Sequence, residues 1–392
     1  MKIFSGSAHP EFAERLCQHL PGFDKGSIKI SRFADSEINI CINESVRQET
    51  CFVIQPTGPS LNQSPNDNLM ELFIIIDALK RGSAKRVTVV MPYFGYERQD
   101  RKDYSRAPIS ASVIARCLEA VNVDRVITYD LHAGQIAGFF SNKCPVDNLY
   151  AEPYFIKYIK SNLLGENVNL ENIVIVAPDE GAVKQSTRIS SRLGCSAATI
   201  FKSRNKPNEI GIMKLMGEVS GKLAIIVDDL IDTGGTACKA CQILLENGAT
   251  EVYMLACHGL FSRDALQKIE NSGFKKVIVS NTLPIINENI EKSEKIEYID
   301  VWNKTPAHEW HSHTPDNVDL VLLVYLNEQQ QWKHEWGGVL QVGTKTIETN
   351  EVANIHSILP NNKTVVLINN INPRIFHSVT EQISQNDRYT IG

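Results

Sequence analysis

Through the first three hundred residues, short aliphatic and β-branched runs alternate with stretches whose apolar positions recur every three or four residues. The runs Val87–Met91, Arg125–Tyr129, Ile173–Ala177, Leu223–Val227, Val252–Ala256 and Val277–Val279 are nearly continuous in apolar character. A strand buried on both faces reads this way, as in a parallel sheet covered by helices. Helical spacing falls between them, at Asn68–Lys80, Ile109–Ala120 and Ala237–Asn247. The expected fold is therefore α/β, built from doubly wound parallel sheets. Asn247-Gly248-Ala249 precedes the run at Val252 much as Ala120-Val121-Asn122 precedes the one at Val126. That spacing hints at two similar halves, 1–147 and 148–301. From Trp302 the pattern changes: Trp, His and Pro crowd Trp302–His313, and polar Gln and Asn runs follow. Only Leu320–Leu326 and Thr364–Ile368 stand out as strands, so residues 302–392 are expected to form a small β-containing extension.

Composition narrows the choice of partners. At 392 residues and 43% hydrophobic, the chain can fill more than one core. A net charge of −5 sets up no long-range field for nucleic acid or anionic lipid, so any phosphate must be held by local groups. The nine scattered cysteines do not suggest a disulfide framework. Cys238 and Cys241 form a CxxC pair, but on a helix and without a second pair at zinc spacing, they read as small buried residues. His308, His311 and His313 lack a cysteine or carboxylate partner at firm spacing and do not make a zinc site by themselves. Strand-like sequence begins at Lys2-Ile3-Phe4, with no secretory signal before it and no apolar run of membrane-spanning length. The expected setting is the cytoplasm, with neither a membrane nor a nucleic-acid partner.

Leu223–Thr236 carries the most chemistry. A strand ends in Asp228 and Asp229, a turn with Asp232, Thr233, Gly234 and Gly235 follows, and a helix begins near Ala237. Ligands of open α/β sheets sit beyond the carboxyl ends of strands. The two glycines let backbone N–H groups point inward, the helix start adds partial positive charge, and Thr233 and Thr236 add hydroxyl donors. These make a phosphate site that needs no Lys or Arg. The two aspartates suit vicinal sugar hydroxyls instead. An ordinary acidic turn capping a helix would not need both aspartates, both glycines and both threonines.

This arrangement resembles the ribose-phosphate loop of the type I phosphoribosyltransferase fold. The chain as a whole resembles the ribose-phosphate pyrophosphokinase (PRPP synthetase) family from Lys2-Ile3-Phe4-Ser5-Gly6 to about Asp300. Four further segments carry the likeness: Phe33–Glu37, Tyr96–Lys102 with Ser105–Ser110, Asp130-Leu131-His132-Ala133, and Asn148–Pro153. The resemblance implies two tandem phosphoribosyltransferase-like domains and transfer of the β,γ-diphosphoryl group of ATP to the anomeric hydroxyl of ribose 5-phosphate. It implies that Phe33 stacks on adenine while Asp35 and Glu37 read the base edge or nucleotide sugar, although Phe33 alone would read as a core aromatic. It assigns Arg98, Gln99, Asp100, Asp103 and His132 to ATP, and Asp228, Asp229, Asp232, Thr233, Gly234, Gly235 and Thr236 to ribose phosphate. Lys202 and Arg204 match the mobile catalytic loop. Their stretch, Phe201–Glu209, is polar and aperiodic like a closing lid. His132 and Asp179 become Mg²⁺-site residues, in part through water. A homo-oligomer is implied as well.

Several positions depart from the family's pattern. Pro178-Asp179-Glu180-Gly181-Ala182 stands where Pro-Asp-x-Gly-Gly is usual, Gln185 where a basic residue is usual, and Ser262-Arg263-Asp264 where Ser-Gly-Pro is usual. After Asp300 the family's closing helix and strand give way to the unfamiliar tail. Three readings stay open: synthesis of PRPP, the same transfer onto a larger ribose 5-phosphate derivative such as ADP-ribose, or a non-catalytic regulatory subunit. Retention of Lys202, Arg204, His132, Asp179 and the whole 228–236 loop argues against the last.

Overall fold

The chain enters its first sheet at once. In the computed structural model, residues 1–20, 23–164, 170–203, 212–301, 339–342 and 345–348 are described. Elements β1 (Lys2–Ser5), α1 (Pro10–His19), β2 (Asp24–Lys25), β3 (Ile28–Arg32), β4 (Ile38–Ile42), β5 (Thr50–Ile54), α2 (Pro65–Arg81), β6 (Arg86–Met91), α3 (Ser110–Ala120), β7 (Arg125–Tyr129) and β8 (Val146–Leu149) come first. Six of these strands form a sheet in the order β2-β1-β5-β6-β7-β8. Every pairing in it is parallel, while β3 and β4 pair antiparallel as a separate hairpin. Next come α4 (Glu152–Tyr158), β9 (Ile173–Ala177), α5 (Val183–Leu193), β10 (Ser196–Ser203), β11 (Ile212–Met216), β12 (Leu223–Ile231), α6 (Gly235–Glu246), β13 (Glu251–Gly259), α7 (Ala265–Glu270), β14 (Lys276–Ser280), α8 (Glu288–Glu291) and β15 (Ile296–Ile299). Their sheet runs β11-β10-β9-β12-β13-β14-β15, parallel except at β10–β11.

Both sheets belong to one compact unit, Met1–Val301, and Trp302–Gly392 forms another. In the second unit the described strands β16 (Val339–Val342) and β17 (Lys345–Glu348) pair antiparallel. The strands expected at Leu320–Leu326 and Thr364–Ile368 lie outside the described residues.

Local signals explain the helix limits. Ser64 caps α2 by a reciprocal box with Asp67, and Pro65 occupies the first turn, where no N–H is needed. Leu69, Leu72, Ile75, Ile76 and Leu79 then face the first sheet at helical spacing, all buried. Each contributes about 1.5–3 kcal/mol by leaving water. Val174, Val176, Ala224, Ile226, Val252 and Met254 make the matching core of the second sheet with Ala240, Cys241 and Leu244 of α6. Cys241 is buried and Cys238 partly so, and all nine cysteines are free thiols.

The site strand is longer than its apolar run. β12 continues to Ile231, with Asp228 opposite Ala256 and Leu230 opposite His258 on β13. A strand ladder joins backbone groups, so it continues under polar side chains once a partner strand is present. As a result α6 starts at Gly235, close behind the strand. Among the described residues, no helix is long and apolar enough to cross a membrane.

Candidate active site

The loops after β7 and β9 and the end of β12 open into one cavity of about 920 Å³. This is where an open α/β sheet places its ligands. Of the residues expected in the site, Arg98, Asp100, His132, Asp179, Asp228, Asp229 and the segment Asp232–Thr236 line it. Gly234 adopts φ +70° before α6, a left-handed conformation that disfavours other residues by about 1–2 kcal/mol. A Cβ there would have room, with its nearest neighbour 3.6 Å away, so the backbone conformation alone calls for glycine.

Phe33, Asp35, Glu37, Gln99 and Asp103 are not among the residues lining this cavity. Phe33 and Glu37 close the tip of the β3–β4 hairpin, Phe33 N–H donating to the Glu37 carbonyl at 2.8 Å, and the Phe33 side chain is 55% exposed. The Asp35 carboxylate accepts from Glu37 N–H at 3.1 Å. Gln99 accepts from the Ser110 hydroxyl, and Asp103 pairs with Arg101 on the surface. Lys202 lies in β10, opposite Met213 of β11. Its side chain and the whole of Arg204 fall outside the described residues.

Three hydrogen bonds hold the His132 loop. Asp130 N–H donates to the Leu149 carbonyl at 2.8 Å, Leu131 N–H to Asn148 Oδ1 at 3.0 Å, and His132 N–H to Glu97 Oε2 at 3.1 Å. Asp130 takes φ +36° at this bend. The imidazole then reaches the second sheet, where His132 Nδ1 meets Asp229 Oδ2 at 2.6 Å. Arg98 Nη1 meets Asp232 Oδ2 at 2.7 Å. Behind them His258 of β13 is fully buried, with Nε2 3.1 Å from the Tyr129 carbonyl and Nδ1 2.8 Å from Thr282 Oγ1. These contacts tie the loops of the first sheet to the end of β12 and to β13 in the second.

Burial sets the protonation states. Glu97 is fully enclosed, so desolvation, reinforced by nearby Asp229, raises its pKa well above the usual carboxylate range. Burial also pushes Asp130 up to about 7. Asp228 rises for the same reason, with Asp229 alongside adding to the effect. Burial pushes Asp229 up most strongly of any single influence, yet the hydrogen bond and charge of His132, with the hydrogen bond from Asp228 and the nearby His258, together hold it below the usual range. The two adjacent acids are thus pushed in opposite directions, the pattern expected when neighbouring carboxyls compete for one charge.

The wall suits polyphosphate only with help. Asp100, Asp130, Asp179, Glu180, Asp228, Asp229 and Asp232 outnumber Arg98, Arg101, Lys184 and Arg188 around the cavity. Hard carboxylate oxygens are the donors that Mg²⁺ takes, usually one or two at a time beside water and substrate phosphates. Among the described residues no three His, Cys, Asp or Glu groups converge as a self-sufficient cage, which fits that mode. His132 also fits, because an imidazole that gives Nδ1–H to a carboxylate presents a lone pair on Nε2. Asp232 Oδ1 is buried without a hydrogen-bond partner among the described residues, a place for a ligand hydroxyl or metal-bound water.

Sequence reasoning passed over Glu97, Gln135, Tyr150 and Arg188. Glu97 stood within a quoted motif, but its burial was not visible there. Tyr150 also stood within a quoted motif, but its partner Arg188 on α5 gave no local signal, and the two meet only in the folded chain. The substitution at Ala182 is accommodated: it is 5% exposed with φ −81°, a conformation open to any residue.

A glycine-containing strand-to-helix turn facing a carboxylate-rich cavity defines a doubly wound α/β protein with its ligand site at the strand ends. Comparison with known proteins refines that class. Residues 1–121 match a family model described as the N-terminal domain of ribose phosphate pyrophosphokinase, and residues 200–304 one described as a phosphoribosyl synthetase-associated domain. Ribose-phosphate pyrophosphokinase A of Dictyostelium discoideum is 46% identical over 301 residues, covering 77% of this chain and 91% of that protein. Ribose-phosphate pyrophosphokinase of Helicobacter pylori is 44% identical over 330 residues, covering 84% and 95%. The crystal structure of phosphoribosylpyrophosphate synthetase from Mycobacterium smegmatis superposes with a TM-score of 0.68 at 38% identity, covering 76% of this chain and 94% of that one. The chain belongs to the ribose-phosphate pyrophosphokinase family. Residues 298–392 match a different model, described as the 2OG-Fe(II) oxygenase superfamily.

Proposed function

We propose that the chain transfers the β,γ-diphosphoryl group of ATP to the C1 hydroxyl of ribose 5-phosphate, giving 5-phosphoribosyl 1-diphosphate (PRPP) and AMP. The observation that carries this reading is the junction of the Asp228–Thr236 loop with His132 and Arg98 in one cavity. The loop supplies backbone N–H groups and hydroxyls for the 5-phosphate, and the carboxyls of Asp228 and Asp229 face the sugar hydroxyls. Arg98, Gln99, Asp100 and Asp103 serve ATP. Phe33, Asp35 and Glu37 stand on a hairpin whose exposed aromatic suits a base. Lys202 and Arg204 grip the transferring group, where positioning and charge neutralisation dominate the catalysis of phosphoryl transfer. Mg²⁺, held by Asp179 and His132 with phosphate oxygens, would neutralise the polyphosphate.

We divide the first unit functionally into 1–147 for ATP and 148–301 for ribose phosphate, and leave 302–392 as an extension. Nine free thiols suit a reducing cytoplasm, and the family likeness suits a homo-oligomer.

The test is AMP release from Mg-ATP with ribose 5-phosphate, with ADP-ribose, and without acceptor. Release dependent on ribose 5-phosphate is expected. Release only with ADP-ribose would move the acceptor assignment to the larger sugar, and none with either would refute diphosphoryl transfer.

A further inference from the structure

One guanidinium on the cavity wall is held in place yet keeps its terminal nitrogens open. Arg188 projects from α5, one turn after Lys184 and Gln185, so all three share a helix face and line the cavity. Its Nε donates to Glu152 Oε2 at 2.8 Å. Glu152, the first residue of α4, has a side chain only 3% exposed. On one side the guanidinium covers the Tyr150 ring at 5.1 Å. Arg192, one turn further along α5, places Nη1 2.9 Å from the other Glu152 oxygen. Two arginines therefore share one carboxylate, and a unit of positive charge is left over. Arg188 Nη1 and Nη2 have no hydrogen bond among the described residues, and the side chain is 37% exposed. The charge reaches Asp130, where it offsets a small part of the rise that burial causes.

A planar fork fixed by a buried acid and an aromatic face is organised for an oxyanion before the ligand arrives, so little side-chain freedom is lost on binding. Its position also fits a need. The Asp179–Ala182 loop begins the same wall with two carboxylates, and Gln185 adds no charge.

We infer that Arg188 is an anion-contacting, specificity-determining residue for the diphosphoryl group, approaching it from α5. This rests on the diphosphokinase reading above. The test is calorimetric binding of two probes to the full chain with Mg²⁺: PRPP, and ribose 5-phosphate, which lacks the diphosphate. Arg188→Gln is expected to weaken PRPP at least tenfold while changing ribose 5-phosphate less than twofold. Arg188→Lys keeps a charge beside Glu152 but loses the fork, and is expected to give a smaller loss of PRPP alone. Unchanged PRPP binding, or equal loss of both probes, overturns the inference. If Arg188→Gln does not fold, an Arg188→Lys variant with wild-type PRPP affinity overturns it equally. A wild-type protein that binds PRPP and releases AMP while the variants match it sinks the inference alone. A wild type that does neither refutes the underlying reading.

Discussion

Acidification should strain the joint between the sheets at His258. Its ring is fully buried, edge-on to Tyr93 at 4.9 Å, and its Nε2 faces a carbonyl that can only accept. Nε2 therefore carries the proton, and Nδ1 lies 2.8 Å from the Thr282 hydroxyl. Burial lowers its pKa from 6.5 to about 4. The unfolded imidazole titrates near 6.5, so between pH 6.5 and 4 the unfolded chain binds the extra proton and stability falls with pH. From pH 7 to pH 5 that linkage costs about 2 kcal/mol at this residue. His258→Asn removes the titration together with the bonds to Tyr129 and Thr282. The variant should be less stable than wild type by about 1–3 kcal/mol at pH 7, and the gap should narrow by about 2 kcal/mol at pH 5. Urea unfolding followed by far-ultraviolet circular dichroism at both pH values measures this. All four tryptophans lie beyond residue 301, so their fluorescence would report on the wrong unit. A gap that stays constant between the two pH values would refute a buried neutral His258. His9, also lowered to about 4 by burial, is present in both proteins and cancels.

Three further outcomes follow from the site. Gly234→Ala forces a left-handed backbone on alanine and should cost about 1 kcal/mol of stability while raising the KM for ribose 5-phosphate. Steady-state kinetics in which only the ATP KM moves would place the cradle elsewhere. Asp228→Asn removes a charge that burial disfavours, so thermal unfolding should shift little, but the KM for the sugar should rise more than that for ATP. An unchanged sugar KM would remove Asp228 from the hydroxyl contacts. Lys202→Ala should lower kcat severely with ATP affinity nearly intact, because its contact forms mainly in the transition state; parallel losses in binding and rate would contradict that role.

Local chemistry was legible in the sequence, and distant pairing was not. The strands at Arg125–Tyr129 and Ile173–Ala177 appear at the limits their apolar runs implied, because a doubly covered strand needs side chains that can be read one by one. Asp228–Thr236 was legible because its donors and acceptors are adjacent along the chain. His132 and Asp229 stand 97 positions apart, and nothing in either segment says that one will take up the other's charge. Glu97 and Glu152 look like ordinary surface acids until helices and loops close over them. The hairpin β3–β4 was passed over because its residues alternate between half-buried and exposed, which leaves no continuous apolar run. Beyond Trp302 the polar tracts hid the oxygenase-superfamily likeness, since neither helical nor strand periodicity dominates there.

The ties across the joint also restrict how this protein can be recombined. Tyr129, His132 and Arg98 on one side meet His258, Asp229 and Asp232 on the other, and each contact ends on or beside a residue that lines the cavity. A chimera that takes its first 150 residues from a relative would inherit only one side of each bond. Its two sheets can both form, since each has its own core, and turnover should survive only where the relative also carries arginine at 98 and histidine at 132, the Tyr129 contact being made by a backbone carbonyl that any residue supplies. For this architecture the unit of exchange is the set of facing residues, which no continuous stretch of chain contains.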